Sequence, residues 1–459
     1  MDSPSSSKEN RLETEPITTL FFQLAIPAVV AQVVNMLYNM VDRMYIGHIP
    51  EIGSLALTGL GIASPIILIV SAFANLIGGG GAPRASIYLG AGKQKQADQV
   101  MNTAIAASFL FGLALTVLFS LFLEPLLHLF GASPDSLPYA LRYTRIYLMG
   151  TIAVMFSLGM NQFIAVQGFA KEAMLTVVVG AVLNIVLDPL FIFVLHLDVA
   201  GAALATILSQ IISALWVLQV LASKKSFFHL NKKQIRLPWH ILSPILALGA
   251  SPFIMSSTES LLQMAFNRSL LQYGGDLYVA TFAINAMVMQ IILLPTSGFA
   301  QGAVSLLSFN YGAGNASRVK QTLRILFLTN LLYAVCMTGM IELFPSLFVQ
   351  IFTQEPSLIE ATVPMLRIYV AGMFLFGLQI ASQQSFLAFG QARISAFMAL
   401  LRKVIMLIPL IYLLPHFLMP PTLAVYLAEP IADTIAAITT TTTFTLFVRG
   451  ELRRLPSRA

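Results

Sequence analysis

Charged residues are scarce in this chain of 459 residues. Asp, Glu, Lys and Arg together make up 10% of the sequence, whereas roughly a quarter of a typical soluble domain is charged. Apolar residues of the set AVILMFWYC make up 57%. So few charged side chains cannot cover a water-facing surface. The composition therefore excludes a soluble globular protein and indicates that the chain lies in lipid.

Cysteine is nearly absent, and no nucleotide-binding motif is found. Cys336 is the only cysteine, so an intramolecular disulfide is excluded, and its apolar surroundings predict a packing role. The glycine run from Gly78 to Gly81 is not followed by the Gly-Lys-Ser or Gly-Lys-Thr of a phosphate-binding loop, so we expect a hinge or close helix packing there. The sequence predicts neither an enzyme nor an ATP-driven pump.

Long apolar runs dominate the chain instead. Several, such as 16–41, 52–83 and 404–428, contain no charged residue over more than the roughly 20 residues that cross a bilayer as a helix. Strands of a barrel would be about ten residues long and would alternate in polarity. We therefore predict an all-α polytopic membrane protein with twelve transmembrane helices. The predicted spans are 17–47, 53–80, 97–122, 137–168, 171–196, 200–222, 240–272, 277–308, 319–345, 359–388, 393–414 and 422–448.

Basic residues predict the orientation. When the 26 Lys and Arg residues are sorted over alternating spans, most of them, Lys403 included, fall on one side of the membrane. The exceptions lie inside spans near the other side and are Arg43, Arg142, Arg145, Arg268 and Arg367. By the positive-inside rule, both termini are cytosolic. The net charge of +6 is thus a topology signal, and nucleic-acid binding, which needs a clustered basic face on a soluble domain, is not expected.

The two halves of the chain repeat each other. A shift of 222 residues aligns Arg145-Ile-Tyr with Arg367-Ile-Tyr, and it places Gly90 on Gly312. Each copy holds six spans, an even number, so the copies are parallel and should form two lobes around a central cleft. The first apolar run shows no signal-peptide cleavage site. The predicted parts are a cytosolic N-terminal tail 1–16, an N-lobe 17–222, a cytosolic linker 223–238, a C-lobe 239–448 and a cytosolic C-terminal tail 449–459.

Six short motifs follow one another along nearly the whole chain. They are Asn39-Met-Val-Asp42-Arg-Met-Tyr-Ile-Gly47, Leu183-Asn184-Ile-Val-Leu-Asp188-Pro189, Gly201-Ala-Ala-Leu-Ala-Thr206, Gln301-Gly302, Asn310-Tyr-Gly-Ala-Gly-Asn315 and Glu429-Pro-Ile-Ala-Asp433. Each is weak alone, but in this order and with this repeat the chain resembles the multidrug and toxic compound extrusion (MATE) transporters, in particular their prokaryotic DinF-like branch. The resemblance implies two six-helix lobes and efflux coupled to H⁺ or Na⁺.

Ionisable groups deep inside the spans point to a site in the N-lobe. Each costs roughly 2.5 to 3.5 kcal/mol on insertion scales and so needs a partner or a function. At a rise of roughly 1.5 Å per residue, Asp42, Asp188 and Thr206 lie at similar depths. Asn184 is one helical turn from Asp188, and Pro189 frees the backbone carbonyl of the residue four positions earlier. Two carboxylates, an amide, a hydroxyl and a carbonyl can therefore converge.

Such a group of oxygens suits two different coupling ions. A hard cation such as Na⁺ prefers these ligands, while two desolvated carboxylates close together favour the capture of a proton. The residues support both. The family resemblance implies that Asp42, Asn184, Asp188 and Thr206 form the cation site, which would also be the Na⁺ ligand set, and that three further residues support it by hydrogen bonds. These supporting residues are Tyr38, Tyr143 and Asn161.

Roles for the other deep carboxylates and for methionine remain open at this stage. Glu259 can be functional or can pair with a nearby Arg or Ser, and Glu429 and Asp433 can contact substrate or cap a broken helix. Methionine offers soft apolar surface for varied ligands, although packing explains most of the 20 in the chain. The methionines that can face the cleft and contact substrate are Met36, Met255, Met264 and Met287.

The leading hypothesis is a secondary active multidrug exporter that moves cationic or amphipathic organic compounds by alternating access, in exchange for H⁺ or Na⁺. No cofactor besides the coupling ion is expected, and the expected form is a monomer in the bilayer of a bacterial inner membrane. An alternative is a flippase or an exporter of a lipid-linked or anionic metabolite on the same fold, which an Arg-rich cleft would favour. An intramembrane aspartyl protease is disfavoured because the Gly-x-Gly-Asp motif is absent.

Overall fold

Helices that can cross a membrane make up almost the whole protein. The computed structural model describes residues 11–231 and 234–454, and in this part of the chain nine helices are long and apolar enough to span a bilayer. Two bent helix pairs raise the number to eleven. The longest helix, Trp239–Gly312, is broken at Gly275, whose φ of 71° is left-handed, and its division gives twelve spans. The predicted all-α polytopic fold is confirmed.

The spans are numbered 1 to 12 in chain order. The first six are Ile17–Gly47, Gly53–Gly90, Gln94–Leu121, the bent pair Leu137–Met149 and Thr151–Ala165, Ala170–Val194, and Asp198–Ala222. The last six are the two parts of Trp239–Gly312 on either side of Gly275, Ala316–Leu343, the bent pair Pro356–Val370 and Met373–Ala388, Ala392–His416, and Pro421–Arg454. Short helices cover Arg11–Thr14, Leu123–Leu129 and Pro345–Gln350, and π-helical turns cover Met155–Met160, Leu190–Val194 and Leu401–Leu407.

Several helix ends differ from the prediction. Span 2 continues as far as Gly90, because the glycine run that starts at Gly78 lies inside the helix and packs against spans 4 and 7. Span 12 runs through Arg454, well into the predicted C-terminal tail. Residues 1–10 and 455–459 of the predicted tails, and residues 232–233 of the predicted linker, lie outside the described residues.

The segment before span 1 is docked rather than free. Leu12 is buried, with 1% of its surface exposed. The guanidinium of Arg318, at the start of span 9, donates to the backbone carbonyls of Leu12 at 2.9 Å and Glu15 at 2.8 Å. The phenol of Tyr311 at the end of span 8 donates to Glu451 in span 12 at 2.7 Å. Both described chain ends therefore lie on one side of the molecule, here called the terminal side; the opposite side is the distal side.

The two lobes meet through pairs of glycines that the repeat relates. A Cβ atom at Gly90 in span 2 would lie 1.9 Å from the carbonyl oxygen of Phe309 in span 8, and one at Gly312 would lie 2.0 Å from that of Ile87. A Cβ at Gly80 would lie 2.0 Å from the carbonyl oxygen of Ile245 in span 7. No side chain fits between these backbones, so the spans of the two lobes touch directly.

A cleft between the lobes opens toward the distal side. The side chains of Gln32 in span 1 and Gln301 in span 8 are joined by a hydrogen bond of 3.3 Å, and Asn75 in span 2 donates to Ser256 in span 7 at 3.4 Å. Among the described residues, these bonds and the glycine contacts that join the lobes lie in the terminal-side half of the spans or near their middle. No such bond or glycine contact joins the distal halves of spans 1 and 2 to the distal halves of spans 7 and 8 among the described residues.

We predict that Gly80→Val destabilises the contact between the lobes. The new side chain would overlap the backbone of span 7, and overpacking of this kind costs about 1 to 3 kcal/mol or more. The purified variant should unfold at a temperature several degrees lower in a thermal scan. Gly61→Val on the same helix is the matched control, because a Cβ at Gly61 meets nothing within 4 Å. Equal melting temperatures for the two variants would contradict the assigned contact.

Candidate functional site

Four of the predicted site residues come together in the N-lobe. Asn184 lies one turn before Asp188 in span 5, and its amide nitrogen lies 3.3 Å from the Asp188 carboxylate and 3.4 Å from the Thr206 hydroxyl in span 6. Asp42 of span 1 lies beside this group, close enough for its carboxyl group to interact with that of Asp188. Three spans thus contribute to one polar group, which we call the N-lobe site.

The N-lobe site is shielded from solvent. Asp188 has none of its surface exposed, and Asp42 has 7%. Two tyrosines enclose it: Tyr143 in span 4 interacts with Thr206 and Asp42, and Tyr38 in span 1 lies next to both carboxyl groups. A cavity of about 40 Å³ adjoins the site, lined mainly by polar side chains of spans 1, 4, 5 and 6. The polar lining residues are Asn35, Tyr38, Ser157, Thr176, Asn184, Thr206, Ser209, Gln210 and Ser213.

Oxygen atoms at the N-lobe site are not fully hydrogen-bonded. Asp42 Oδ1, Asn184 Oδ1 and Asp188 Oδ2 are buried and have no hydrogen-bond partner among the described residues. Two carboxylate oxygens in contact repel each other unless a proton lies between them or a cation binds both. The donor set, with two carboxylates, an amide and a hydroxyl, fits either a proton or an alkali cation. A cluster of three or more His, Cys, Asp or Glu side chains, as transition metals prefer, is not found in the described part of the chain.

Asn161 is not brought to this site, which corrects the expectation that it supports the cation ligands. It lies at the end of span 4 nearer the terminal side, and its amide nitrogen donates to the backbone carbonyl of Ala173 at 3.0 Å. Ala173 precedes Asn184 by three turns of span 5, about 16 Å at the helical rise. Asn161 therefore joins the end of span 4 to the start of span 5 and is too far away to contact Asp188.

A second charged group lies in the C-lobe. Arg402 in span 11 donates through Nε to Asp433 at 2.7 Å and through an Nη atom to Glu429 at 3.0 Å, and all three side chains are buried. The guanidinium lies 4.6 Å from the centre of the Phe376 ring. Glu429 and Asp433 thus bind an arginine, a role different from the substrate contact and the helix capping that the sequence left open.

Lys403 extends this group to span 7. Its ammonium donates to the Glu259 carboxylate at 2.6 Å and to the backbone carbonyl of Met255 at 2.6 Å. Glu259 therefore has an ion-pair partner, but this partner is a lysine and not the expected Arg or Ser. The prediction that Lys403 lies on the membrane surface is wrong, because it follows the helix start at Ala392 by three turns and is buried in the π-helical turn of span 11.

The two charged groups occupy equivalent helices of the repeat. The N-lobe site uses spans 1, 4, 5 and 6, and the C-lobe group uses spans 7, 10, 11 and 12, which are their mates. The signal that could have revealed the second group is the Arg402-Lys403 pair, because two adjacent cations inside a long apolar run need carboxylates nearby. Glu429 and Asp433 in span 12 are the nearest buried carboxylates in sequence.

Two polar stripes face each other across the cleft. On span 1, Gln32 is followed at helical spacing by Asn35, Asn39 and Arg43, and on span 7, Ser256 is followed by Glu259, Gln263 and Asn267. The first residue of each stripe bonds to the opposite lobe, and the others are exposed beyond that contact. Polar side chains at this depth face water rather than lipid. The stripes therefore form the walls of the cleft.

The candidate methionines differ in their surroundings. Met36 and Met255 are half-buried beside the stripes of spans 1 and 7. Met264 and Met287 are exposed, with 60% and 47% of their surface accessible. Both degrees of exposure are compatible with a place at the cleft, so substrate contact by these four methionines stays a prediction.

Known proteins share both the sequence pattern and the fold. The family model described as MatE matches residues 27–190 and 252–413, one match in each half of the chain. The multidrug export protein MepA of Staphylococcus haemolyticus is 26% identical over 88% of both chains, and MepA of Staphylococcus aureus is 24% identical over the same shares. The two matched segments begin 225 residues apart, in agreement with the internal repeat.

Solved structures agree with the fold over nearly the full length. The structure described as MATE in the bent conformation has a TM-score of 0.91 at 23% identity and covers 98% of this chain and 99% of its own. An outward-facing multidrug resistance MATE transporter has a TM-score of 0.90, and so has a transporter from Pyrococcus furiosus described as having a binding pocket of reversed polarity. Because the family model covers more than half of the sequence, this chain belongs to the MATE family of membrane transporters and is not an enzyme.

Proposed function

We propose that this protein is a secondary active multidrug exporter that moves cationic or amphipathic organic compounds out of a bacterial cell in exchange for H⁺ or Na⁺. The coupling ion binds at the N-lobe site, through Asp42, Asn184, Asp188 and Thr206. The observation that carries the proposal is the pair of neighbouring buried carboxyl groups with unpartnered oxygen atoms, because two such carboxylates repel each other unless a proton or a cation neutralises them. The export activity of the MepA relatives supports the choice of cargo.

Span 1 links ion binding to the cleft. One face of this helix carries Asp42, which meets span 5, and another carries the stripe residues Asn39 and Arg43, which face the cleft. Pro27 lies inside the helix and removes one backbone hydrogen bond, so the span bends at low cost there. An ion that joins Asp42 to Asp188 pulls the distal half of span 1 toward span 5. The cleft wall then changes shape, and bound substrate is released.

The orientation that we propose for the protein in the membrane follows from the distribution of its basic residues. The terminal side carries most of the basic residues, so we place it in the cytosol and the open cleft at the outer face of the plasma membrane. The transition to an inward-open form then separates the glycine contacts between the lobes and closes the distal halves, as parallel repeats permit. Both lobes and the whole cleft come from one chain, so a monomer is sufficient for transport.

The polarity of the cleft gives little support to an anionic metabolite as cargo. The two stripes carry one arginine, Arg43, and one glutamate, Glu259, and their other members are neutral. A site built for a lipid-linked phosphate or an organic acid would need clustered basic side chains instead. The flippase alternative therefore has less support than multidrug export.

We predict that Asp42→Asn and Asp188→Asn abolish drug efflux. Each variant keeps the shape of the side chain but removes a charge that the coupling ion must neutralise. Ethidium efflux from loaded cells would be measured for each variant at matched membrane expression, with the proton and sodium gradients collapsed separately. Asp135→Asn, in an exposed loop, is the control and should export at the wild-type rate. Normal efflux by both site variants would eliminate the proposed coupling mechanism.

A second pair of substitutions distinguishes coupling to Na⁺ from coupling to H⁺. Asn184→Ala and Thr206→Val remove neutral oxygen ligands but keep both carboxylates. With Na⁺ as the coupling ion, each should raise the Na⁺ concentration needed for half-maximal efflux roughly tenfold, the equivalent of about 1.4 kcal/mol for one lost ligand. With H⁺, the pH profile of efflux should stay close to that of the wild type. Loss of all efflux at every Na⁺ concentration and pH would show that these residues support folding and do not tune ion binding.

A further inference from the structure

The Lys403–Glu259 pair is asymmetric in its exposure. The side chain of Lys403 is 7% exposed, whereas that of Glu259 is 49% exposed. The ammonium approaches the carboxylate from inside the C-lobe, where it also donates to the carbonyl of Met255. One side of the glutamate is therefore occupied by a cation of the protein, and the other side is open.

The open side of Glu259 faces the cleft. Ser256 lies one turn earlier on the same face of span 7 and accepts a hydrogen bond from Asn75 of the N-lobe at 3.4 Å. The rings of Phe73 and Phe253 meet edge to face in the same contact, with centroids 5.1 Å apart. Glu259 lies one turn beyond this contact in the distal direction, at the point where the lobes separate. It is the acidic member of the two stripes and stands at the floor of the cleft.

Lys403 differs from its neighbour Arg402 in how firmly it is held. The guanidinium of Arg402 is enclosed by two buried carboxylates and an aromatic ring. Lys403 has one carboxylate partner, and this partner is the accessible one. Glu429 and Asp433 belong to the same charged group through Arg402, which precedes Lys403 in the chain, and Asp433 Oδ2 is buried without a hydrogen-bond partner among the described residues. A second acceptor therefore lies within the same group if the ammonium leaves Glu259.

We propose that Lys403 is a tethered counter-ion that competes with the positive charge of a substrate for Glu259. An organic monocation that enters the cleft binds the exposed side of the carboxylate and displaces the ammonium toward Glu429 and Asp433. Lys403 thereby sets how strongly the cleft selects cations over neutral compounds, since a neutral compound has no charge with which to compete. The inference rests on the proposed export of organic cations and adds the residue that tunes cation affinity.

The test compares charged and neutral ligands on the purified, full-length protein. The probes are tetraphenylphosphonium, a permanent monocation, and triphenylphosphine oxide, a neutral compound of related shape. Dissociation constants would be measured at fixed pH and ionic strength for the wild type, Lys403→Met, Lys403→Arg, Glu259→Gln and the Lys403→Met, Glu259→Gln double variant. Lys320→Met, an exposed lysine on the terminal side, controls for a general change of charge.

A competing counter-ion gives a distinct pattern of affinities. Lys403→Met should bind tetraphenylphosphonium on the order of tenfold more tightly, since close charge pairs couple by about 1.5 kcal/mol or more. Its affinity for triphenylphosphine oxide should stay within about twofold of the wild type. Glu259→Gln and the double variant should bind the cation weakly and alike, because the carboxylate is gone in both. Lys403→Arg should behave as the wild type.

A purely structural ion pair gives a different pattern. Each single variant would then lower the melting temperature, the double variant would restore it, and both probes would lose affinity together. This result, or unchanged or weaker cation binding by Lys403→Met, would overturn the proposal. Ethidium efflux by the wild type is measured separately, so a protein that exports ethidium but lacks the affinity gain contradicts the role of Lys403 and leaves the proposed function intact.

Discussion

The high cost of a charge in a low-dielectric medium determines where ionisable groups lie in this protein. Inside the membrane each charge needs a counter-charge, a hydrogen-bonded partner or access to water. Arg402 meets the requirement with two carboxylates and an aromatic ring, and Lys403 does so with Glu259. For the N-lobe site we propose that a proton or a cation bound between Asp42 and Asp188 meets the requirement. The proposed transport cycle depends on that difference between permanent and exchangeable partners.

The two lobes therefore share the same arrangement of helices but differ in how their buried charged groups are paired. Equivalent helices of the repeat hold a polar group in each lobe, yet in the C-lobe the cations are the side chains of Arg402 and Lys403, whereas in the N-lobe the proposed cation comes from solution. The absence of aspartates at the positions of the second copy that match Asp42 and Asp188 does not leave the C-lobe without buried charge. A lobe that carries its own counter-ions does not depend on ions from solution, so the proposed ion-driven movement would involve the N-lobe.

Much of this architecture could be predicted because it follows from local patterns. Charge-free runs longer than a bilayer crossing gave the spans, and the predicted break between spans 7 and 8 includes Gly275, where the backbone is left-handed. The convergence of Asn184, Asp188 and Thr206 follows from the helical rise, because spans 5 and 6 are joined by a short turn and these residues lie at similar distances from it. Lys403 was misplaced because hydropathy reports the average of a window and cannot show that a cation has a carboxylate on another helix. Asn161 was misplaced for a different reason, since it was assigned to the site from the family resemblance alone, whereas its bond to Ala173 places it about three helical turns from Asn184.

The glycine contacts between the lobes have a consequence for the energy of each transport cycle. Gly90 and Gly312 bring backbone against backbone, so no rotatable side chain is immobilised when the lobes come together at these points and none is released when they part. Closure of the terminal side therefore carries little side-chain entropy cost at these positions. A contact of this kind is selective in shape, and it can part and form again without a change in side-chain conformation at these two positions.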